Sequence, residues 1–219
     1  MNFLSKSLLN LLLLLAASTL FAQSDFEGKI DYSISYIDLP AQMKGYEAML
    51  PKDMSITMKG NKSRVEQSQM MGSNVIVSDM DNKNGFIEMD MGGQKLRMLI
   101  TTEEFESEAN KALSNIEYLD ETKDILGYAC KKAIMKDDTG NTVMTVFYTK
   151  EISNKAQKEF VGLDGFPLQY NMTQQNMTME ILATGINKQS VPDTSFEKTD
   201  GFKDISQADL QKMMMGGGN

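Results

Sequence analysis

Residues 26–36 read Phe-Glu-Gly-Lys-Ile-Asp-Tyr-Ser-Ile-Ser-Tyr, and apolar side chains stand at every second position from Ile30 to Tyr36. Charged and small polar residues occupy the positions between them. This period of two is typical of an antiparallel strand that buries one face and exposes the other. The stretch therefore predicts a β protein.

The same alternation recurs along most of the chain. Met54, Ile56 and Met58 alternate with polar residues, and Gly60-Asn61 then turns the chain back. Further strands are predicted at 64–69, 74–79, 86–91, 94–100, 116–123, 128–136, 142–149, 168–174 and 177–188. About ten strands with a few short helices predict one curved antiparallel sheet, an unclosed half-barrel.

Helical signals are few. Thr101 and Glu104 have the spacing of a capping box, which predicts a helix that continues to about Ser114. A second short helix is predicted at 153–160. Residues 206–219 begin with a helical pattern and end in a run of Met and Gly, so we expect a flexible tail there.

The N-terminus has the pattern of a secretory signal peptide. Lys6 precedes an apolar run from Leu8 to Ala17, and small residues lead to Ala22. We expect cleavage after residue 22, which leaves a domain at 23–205 that is exported to the periplasm or the extracellular space. A retained membrane anchor is the alternative, but the run is too short to span a bilayer. No Cys lies near the cleavage point that could carry a lipid.

Composition excludes several classes of function. The chain of 219 residues has no His, one Cys and a formal net charge of −8. Without His there is no imidazole base, no Ser-His-Asp triad and no His-ligated metal. The acidic balance argues against nucleic acid as a partner. We therefore expect a non-enzymatic protein with no catalytic residues, cofactor or metal site, and we expect a monomer.

The single thiol, Cys130, lies in a predicted strand beside two lysines. Lysines that approach the sulfur would make a thiol reactive. Alternation on the strand turns at least one of them to the other face, and an unpaired Cys is among the most buried residue types. We therefore predict a buried, inert thiol.

Motifs spread over nearly the whole mature chain resemble a known family. They are the segments 26–30, 59–64, 121–132, 148–152, 165–168 and 191–196, of which 125–132 is the most specific. They are similar to the exported proteins of domain of unknown function 4412. The resemblance implies a fold similar to the lipoprotein carriers LolA and LolB, whose concave sheet is covered by short helices and can hold acyl chains. It implies no catalytic residues.

The chain contains 19 methionines, which suit an adaptable apolar surface. We therefore predict that the concave face binds or carries an apolar, lipid-like molecule. The candidate contacts are Ile30, Tyr32, Ile34, Met54, Ile56, Met58, Met89, Met91, Met177 and Met179. The alternative is an envelope interaction or structural module with a filled interior. A minor alternative is Cu(I) bound by thioethers, against which we expect the methionines to lie on several strands and on alternate faces.

Overall fold

A computed structural model describes residues 25–70, 72–109, 115–137, 139–174 and 176–214. The predicted signal peptide lies outside these residues. Within them the protein is mainly β, and twelve strands form one sheet. No helix in this part of the chain is long and apolar enough to cross a membrane.

The strands have the following bounds: β1 Gly28–Asp38, β2 Asp53–Lys59, β3 Lys62–Gln69, β4 Gly72–Asp79, β5 Asn84–Met91, β6 Gln94–Ile100, β7 Asn115–Ile125, β8 Tyr128–Lys136, β9 Thr142–Thr149, β10 Phe166–Gln174, β11 Met177–Lys188 and β12 Lys203–Asp204. The helices are α1 Thr102–Ala109 and α2 Gln207–Met214. Short 3-10 turns lie at Ala41–Met43, Glu47–Met49, Lys158–Phe160 and Asp193–Phe196.

The order of strands in the sheet is β12-β6-β5-β4-β3-β2-β1-β11-β10-β9-β8-β7. All neighbours are antiparallel except β12, which pairs with β6 in parallel. The sheet is open, because β12 and β7 form its two edges. The mainly β, unclosed architecture is confirmed, and eleven of the twelve strands lie where the sequence predicts one. The two-residue β12 is too short for an alternating pattern to predict it.

One face of the sheet, the inner face, carries the main hydrophobic core. The core consists of apolar side chains from β1, β2 and β8–β11, and residues 152–163 pack over them. From this covering segment Ile152, Ala156, Phe160 and Leu163 are each at most 4% exposed. The hydroxyl of Tyr32 on β1 donates to the Pro167 carbonyl at 2.8 Å, which satisfies a polar atom at the centre of this core.

The covering segment is not the helix that the sequence predicts at 153–160. Only Lys158–Phe160 form a 3-10 turn. The Asn154 amide donates to the carbonyls of Phe160 at 2.8 Å and Leu163 at 2.7 Å. The amide side chain thus satisfies two carbonyls that would otherwise need backbone N–H donors. The segment therefore folds as a compact loop that inserts its apolar residues into the core.

The opposite, outer face of β4 and β5 is covered by the C-terminal segment, residues 189–206. Val191 and Phe196 of this segment form a second buried cluster with Val77 and Phe86. Lys59 on β2 holds this segment against the sheet, because its ammonium donates to the Val191 carbonyl at 2.9 Å. The two hydrophobic clusters therefore lie on opposite faces of one sheet.

The predicted capping box is confirmed at the start of α1. The Thr101 backbone donates to the Glu104 carboxylate at 2.8 Å, and the Glu104 backbone donates to the Thr101 hydroxyl at 3.3 Å. The Thr101 backbone and the Thr101 hydroxyl both donate to the Glu104 carboxylate, and they hold its pKa below the usual value. At the C-terminus Ser206 caps α2 in the same way, by accepting from the Asp209 backbone at 3.1 Å. The tail thus begins as a helix, and residues 215–219 lie outside the described part.

Candidate functional site

The inner face has two halves that differ in burial, and one continuous row of residues crosses both of them. Directly opposed positions run from Ile186 on β11 through Ile30, Ile56, Val65, Ile76 and Ile87 to Met98 on β6. Ile30 and Ile56 are 0% and 2% exposed, whereas the members from Val65 to Met98 are only half-buried. We call β1, β2 and β7–β11 the filled half, and β3–β6 the open half.

Six of the ten predicted contact residues belong to the main core of the filled half. Ile30, Tyr32, Ile34, Met54, Ile56 and Met58 belong to the main core and are each at most 8% exposed. The sequence predicts incomplete cover over these residues. The structure instead packs them against the protein's own side chains, because the loop at 152–163 supplies apolar residues at close spacing. They are core residues in this structure.

The other four predicted residues are separated from one another. Met177 and Met179 lie near the start of β11, where Met179 packs at the margin of the main core. Met89 and Met91 lie on β5 in the open half, where Met89 is half-buried and Met91 is 41% exposed. The structure therefore does not gather the ten residues into one site.

The open half supplies a different apolar surface, which we call the open inner face. It consists of Ile76, Ile87, Met89, Met91 and Met98, with Val65 at its border with the core. Among the described residues, neither buried cluster includes these five. Buried Leu96 and Ile100 close the surface on β6. Alternation in 74–79, 86–91 and 94–100 contained this signal, but only the strand register shows which residues are neighbours.

The end of the open inner face near Ile100 is closed by α1. Phe105 of α1 is 3% exposed, and the Lys158 ammonium lies 4.9 Å from the centre of its ring. This cation-π contact joins α1 to the loop that covers the filled half. The two covering elements thus meet at this end.

A buried ion pair supports the open half from its outer face. Arg97 on β6 donates to the Glu88 carboxylate on β5 at 2.8 Å, and Glu88 is 1% exposed. The same carboxylate oxygen accepts from the Thr199 backbone at 2.8 Å. Arg97 also donates to the Thr199 carbonyl and to Asp204. The pair therefore fastens the C-terminal segment to β5 and β6.

Cys130 is 0% exposed and lies in the main core, as predicted. Burial, the largest cause, raises the pKa of its thiol to about 12. The nearby carboxylates of Asp124 and Glu151 act in the same direction. A thiol in this state has almost no thiolate at neutral pH, so it is a poor nucleophile and a poor metal ligand.

A groove of about 670 Å³ lies beside the second cluster, at the outer face. Its apolar lining includes Phe86, Leu99 and Phe196, and its polar lining includes Lys62 and Lys198. Phe86 and Phe196 are 6% and 8% exposed, so their rings form the floor rather than a projecting platform. The described residues contain no group of three His, Cys, Asp or Glu side chains that could hold a metal ion.

Comparison with known proteins identifies the family. Residues 75–210, more than half of the chain, match the profile of the family described as "N-glycanase peptide, N-terminal domain". The chain belongs to this family. The matched region runs from β4 through the C-terminal segment, and it contains most of the open half. The family shown is thus not the domain of unknown function 4412 that the motifs resemble.

Two crystal forms of PNGF-II have a fold similar to that of this chain. The chain is similar to PNGF-II in a C2 crystal form, with a TM-score of 0.53 and 17% sequence identity, over 86% of this chain and 32% of that one. A second crystal form gives the same TM-score over 33% of its chain. The chain thus spans about a third of the PNGF-II chain. The lipoprotein LppX of Mycobacterium tuberculosis matches with a TM-score of 0.37 and 8% identity, over 76% of this chain and 90% of that one. No curated protein matches the chain.

Proposed function

We propose that the protein is a non-enzymatic, exported domain that binds an apolar chain on the open inner face. The observation that carries this proposal is the row Val65, Ile76, Ile87 and Met98, in which four adjacent strands present half-buried apolar side chains in direct register. Ile76, Ile87 and Met98 are not among the described residues that pack against either hydrophobic cluster. Removing half-buried apolar area of this kind from water favours binding of the ligand that covers it.

The thioethers suit this role. Met98 lies opposite Ile87 on the open inner face, and Met89 and Met91 follow Ile87 along the same face of β5. Methionine side chains repack around ligands of different shape. Each methylene of a ligand that becomes buried contributes about 0.8 kcal/mol. Extending a bound acyl chain by two carbons should therefore strengthen binding about 15-fold as long as the added carbons are covered.

The lack of histidine supports the non-enzymatic part of the proposal. The one buried carboxylate that pairs with an arginine, Glu88, holds the C-terminal segment in place. Its ion pair thus has a structural task that accounts for it without a reaction.

The test is displacement of a fluorescent fatty acid from the purified protein. Ile87→Asp introduces a charge on the open inner face, and Leu99→Asp introduces the same charge on the outer face of the same hairpin, at a side chain that is 42% exposed. We expect Leu99→Asp to bind as the wild type does, and Ile87→Asp to bind at least tenfold more weakly. Absence of binding by the wild type, or equal loss in both variants, would contradict the proposal.

A second candidate function follows from the family. The matching profile is that of an N-terminal domain named for an N-glycanase, and the 670 Å³ groove combines hydroxyl, amide and ammonium groups with an aromatic floor. This lining suits a saccharide, so the domain would act as a non-catalytic glycan-binding partner. Titration with a free N-glycan separates the two candidates, because Lys198→Ala would weaken glycan binding and leave fatty-acid binding unchanged.

A further inference from the structure

Four methionines occupy directly opposed positions on four adjacent strands of the filled half. Met135 on β8 faces Met144 on β9, Met144 faces Met172 on β10, and Met172 faces Met179 on β11. Opposed residues on antiparallel neighbours project from the same face, with Cβ atoms about 4.5–5.5 Å apart. These four residues therefore form one continuous methionine row.

The row runs from the core to the margin of the inner face. Met135 and Met144 are 0% and 7% exposed and belong to the main core. Met172 and Met179 are half-buried and pack against it, and Tyr36 on β1 follows Met179 in register. The row thus has a buried end and an end that solutes can reach.

The chemistry of this row favours a soft ion. Thioethers are soft ligands that suit Cu(I), and the long unbranched side chain lets sulfurs from neighbouring strands converge. Harder divalent ions prefer imidazole or carboxylate ligands. The chain has no His, and no carboxylate or thiol cluster lies among the described residues. The only thiol, Cys130, pairs with Thr149 and is therefore outside the row.

We propose that Met144, Met172 and Met179, with Met135 behind them, form a binding site for one monovalent soft metal ion, Cu(I) in the exported compartment. These four methionines depart from the general expectation of alternate faces, because they share one face on consecutive strands. Only Met179 of these four was singled out by the sequence. The site is separate from the open inner face, so it does not depend on the proposed binding of an apolar chain.

The test is competition for Cu(I) with a chromophoric chelator, bicinchoninate, in the presence of ascorbate. We expect the wild type to withdraw one equivalent of Cu(I), and a Met172→Leu/Met179→Leu variant to lose this capacity by at least tenfold in affinity. A Met89→Leu/Met91→Leu variant is the matched control and should compete as the wild type does. Leucine has nearly the volume of methionine, so both variants should keep the fold. No withdrawal by the wild type, or equal loss in both variants, would overturn the proposal.

A measurement on the wild type covers the case in which the double variant fails to fold. Protein labelled with ¹³C at the methionine methyl groups is titrated with Ag(I), a soft ion that does not change its oxidation state. We expect the methyl resonances of the methionine row to shift first and to saturate at one equivalent. Shifts confined to exposed methionines such as Met70 and Met91 would refute the site.

Discussion

The filled half and the open half of the sheet bury opposite faces. In the filled half the inner face carries the main core, while the outer face is polar: Lys123 and Lys132 lie over Phe147, and Lys123 donates to Gln169 at 2.6 Å. In the open half the buried cluster and the Glu88–Arg97 pair lie on the outer face. The difference teaches that the C-terminal segment stabilises β4–β6 through their outer face. Their inner face is the one that the proposed ligand would cover.

Arg97→Met should give the largest effect, because it removes the partner of a carboxylate that is 1% exposed. Breaking a buried ion pair from one side costs about 3–5 kcal/mol. We expect a loss of this size in the free energy of unfolding, measured by urea denaturation, and faster amide exchange in β5 and β6 than in β8–β10.

The control for this prediction is the Glu88→Gln/Arg97→Met double variant. It removes the unpaired charge and should recover part of the lost stability. An Arg97→Met protein that is as stable as the wild type would mean that the outer face does not stabilise the open half.

Ile56→Ala and Ile87→Ala compare the two halves with the same substitution in the same row of the sheet. Ile56 is 2% exposed in the core, so the change leaves a cavity and should cost about 2–5 kcal/mol. Ile87 is half-buried on the open inner face, and its loss should cost about 1 kcal/mol or less. Equal losses in urea denaturation would show that the two halves are packed alike.

Alkaline pH should destabilise the filled half through Cys130. The folded thiol has a pKa of about 12 against an ordinary value of 9.0, so the unfolded chain loses its proton first as the pH rises. The thiol leaves the free energy of unfolding unchanged below pH 9.0. Between pH 9.0 and about 12 it lowers that free energy by about 1.4 kcal/mol per pH unit.

The comparison for this prediction is Cys130→Ala. In this variant the free energy of unfolding should no longer begin to fall near pH 9. It should still fall above pH 10, because burial also raises the pKa of Tyr32 and Tyr170. Identical pH profiles of the wild type and the variant would contradict the buried, protonated thiol.

Local patterns in the sequence predict much of this fold. The alternation and flanking turn residues at 128–136, 142–149 and 177–188 give the same bounds as β8, β9 and β11. The burial of Cys130 and the capping box at Thr101 are also local properties, because they depend on alternation and on a spacing of three residues.

Pairing between distant segments could not be predicted in this way. β1 lies between β2 and β11, about 150 residues away in the chain, and that neighbour decides that Met179 lies beside Tyr36. The same limit applies to the candidate site. Alternation predicts that Ile87 lies on an apolar face of its strand. Which half of the sheet has its outer face covered depends on where residues 189–206 return to the sheet.

The free edge at β7 has a consequence for the behaviour of the protein at high concentration. Among the described residues β7 has a neighbouring strand on one side only, and it contains a bulge between Leu119 and Thr122. Charged side chains follow one another along it, including Glu117, Asp120 and Glu121. Interrupted pairing and the charged side chains disfavour the joining of two such edges into a continuous sheet. At the other edge, β12 pairs with only Leu96 and Arg97 of β6, so this protection applies to the β7 border.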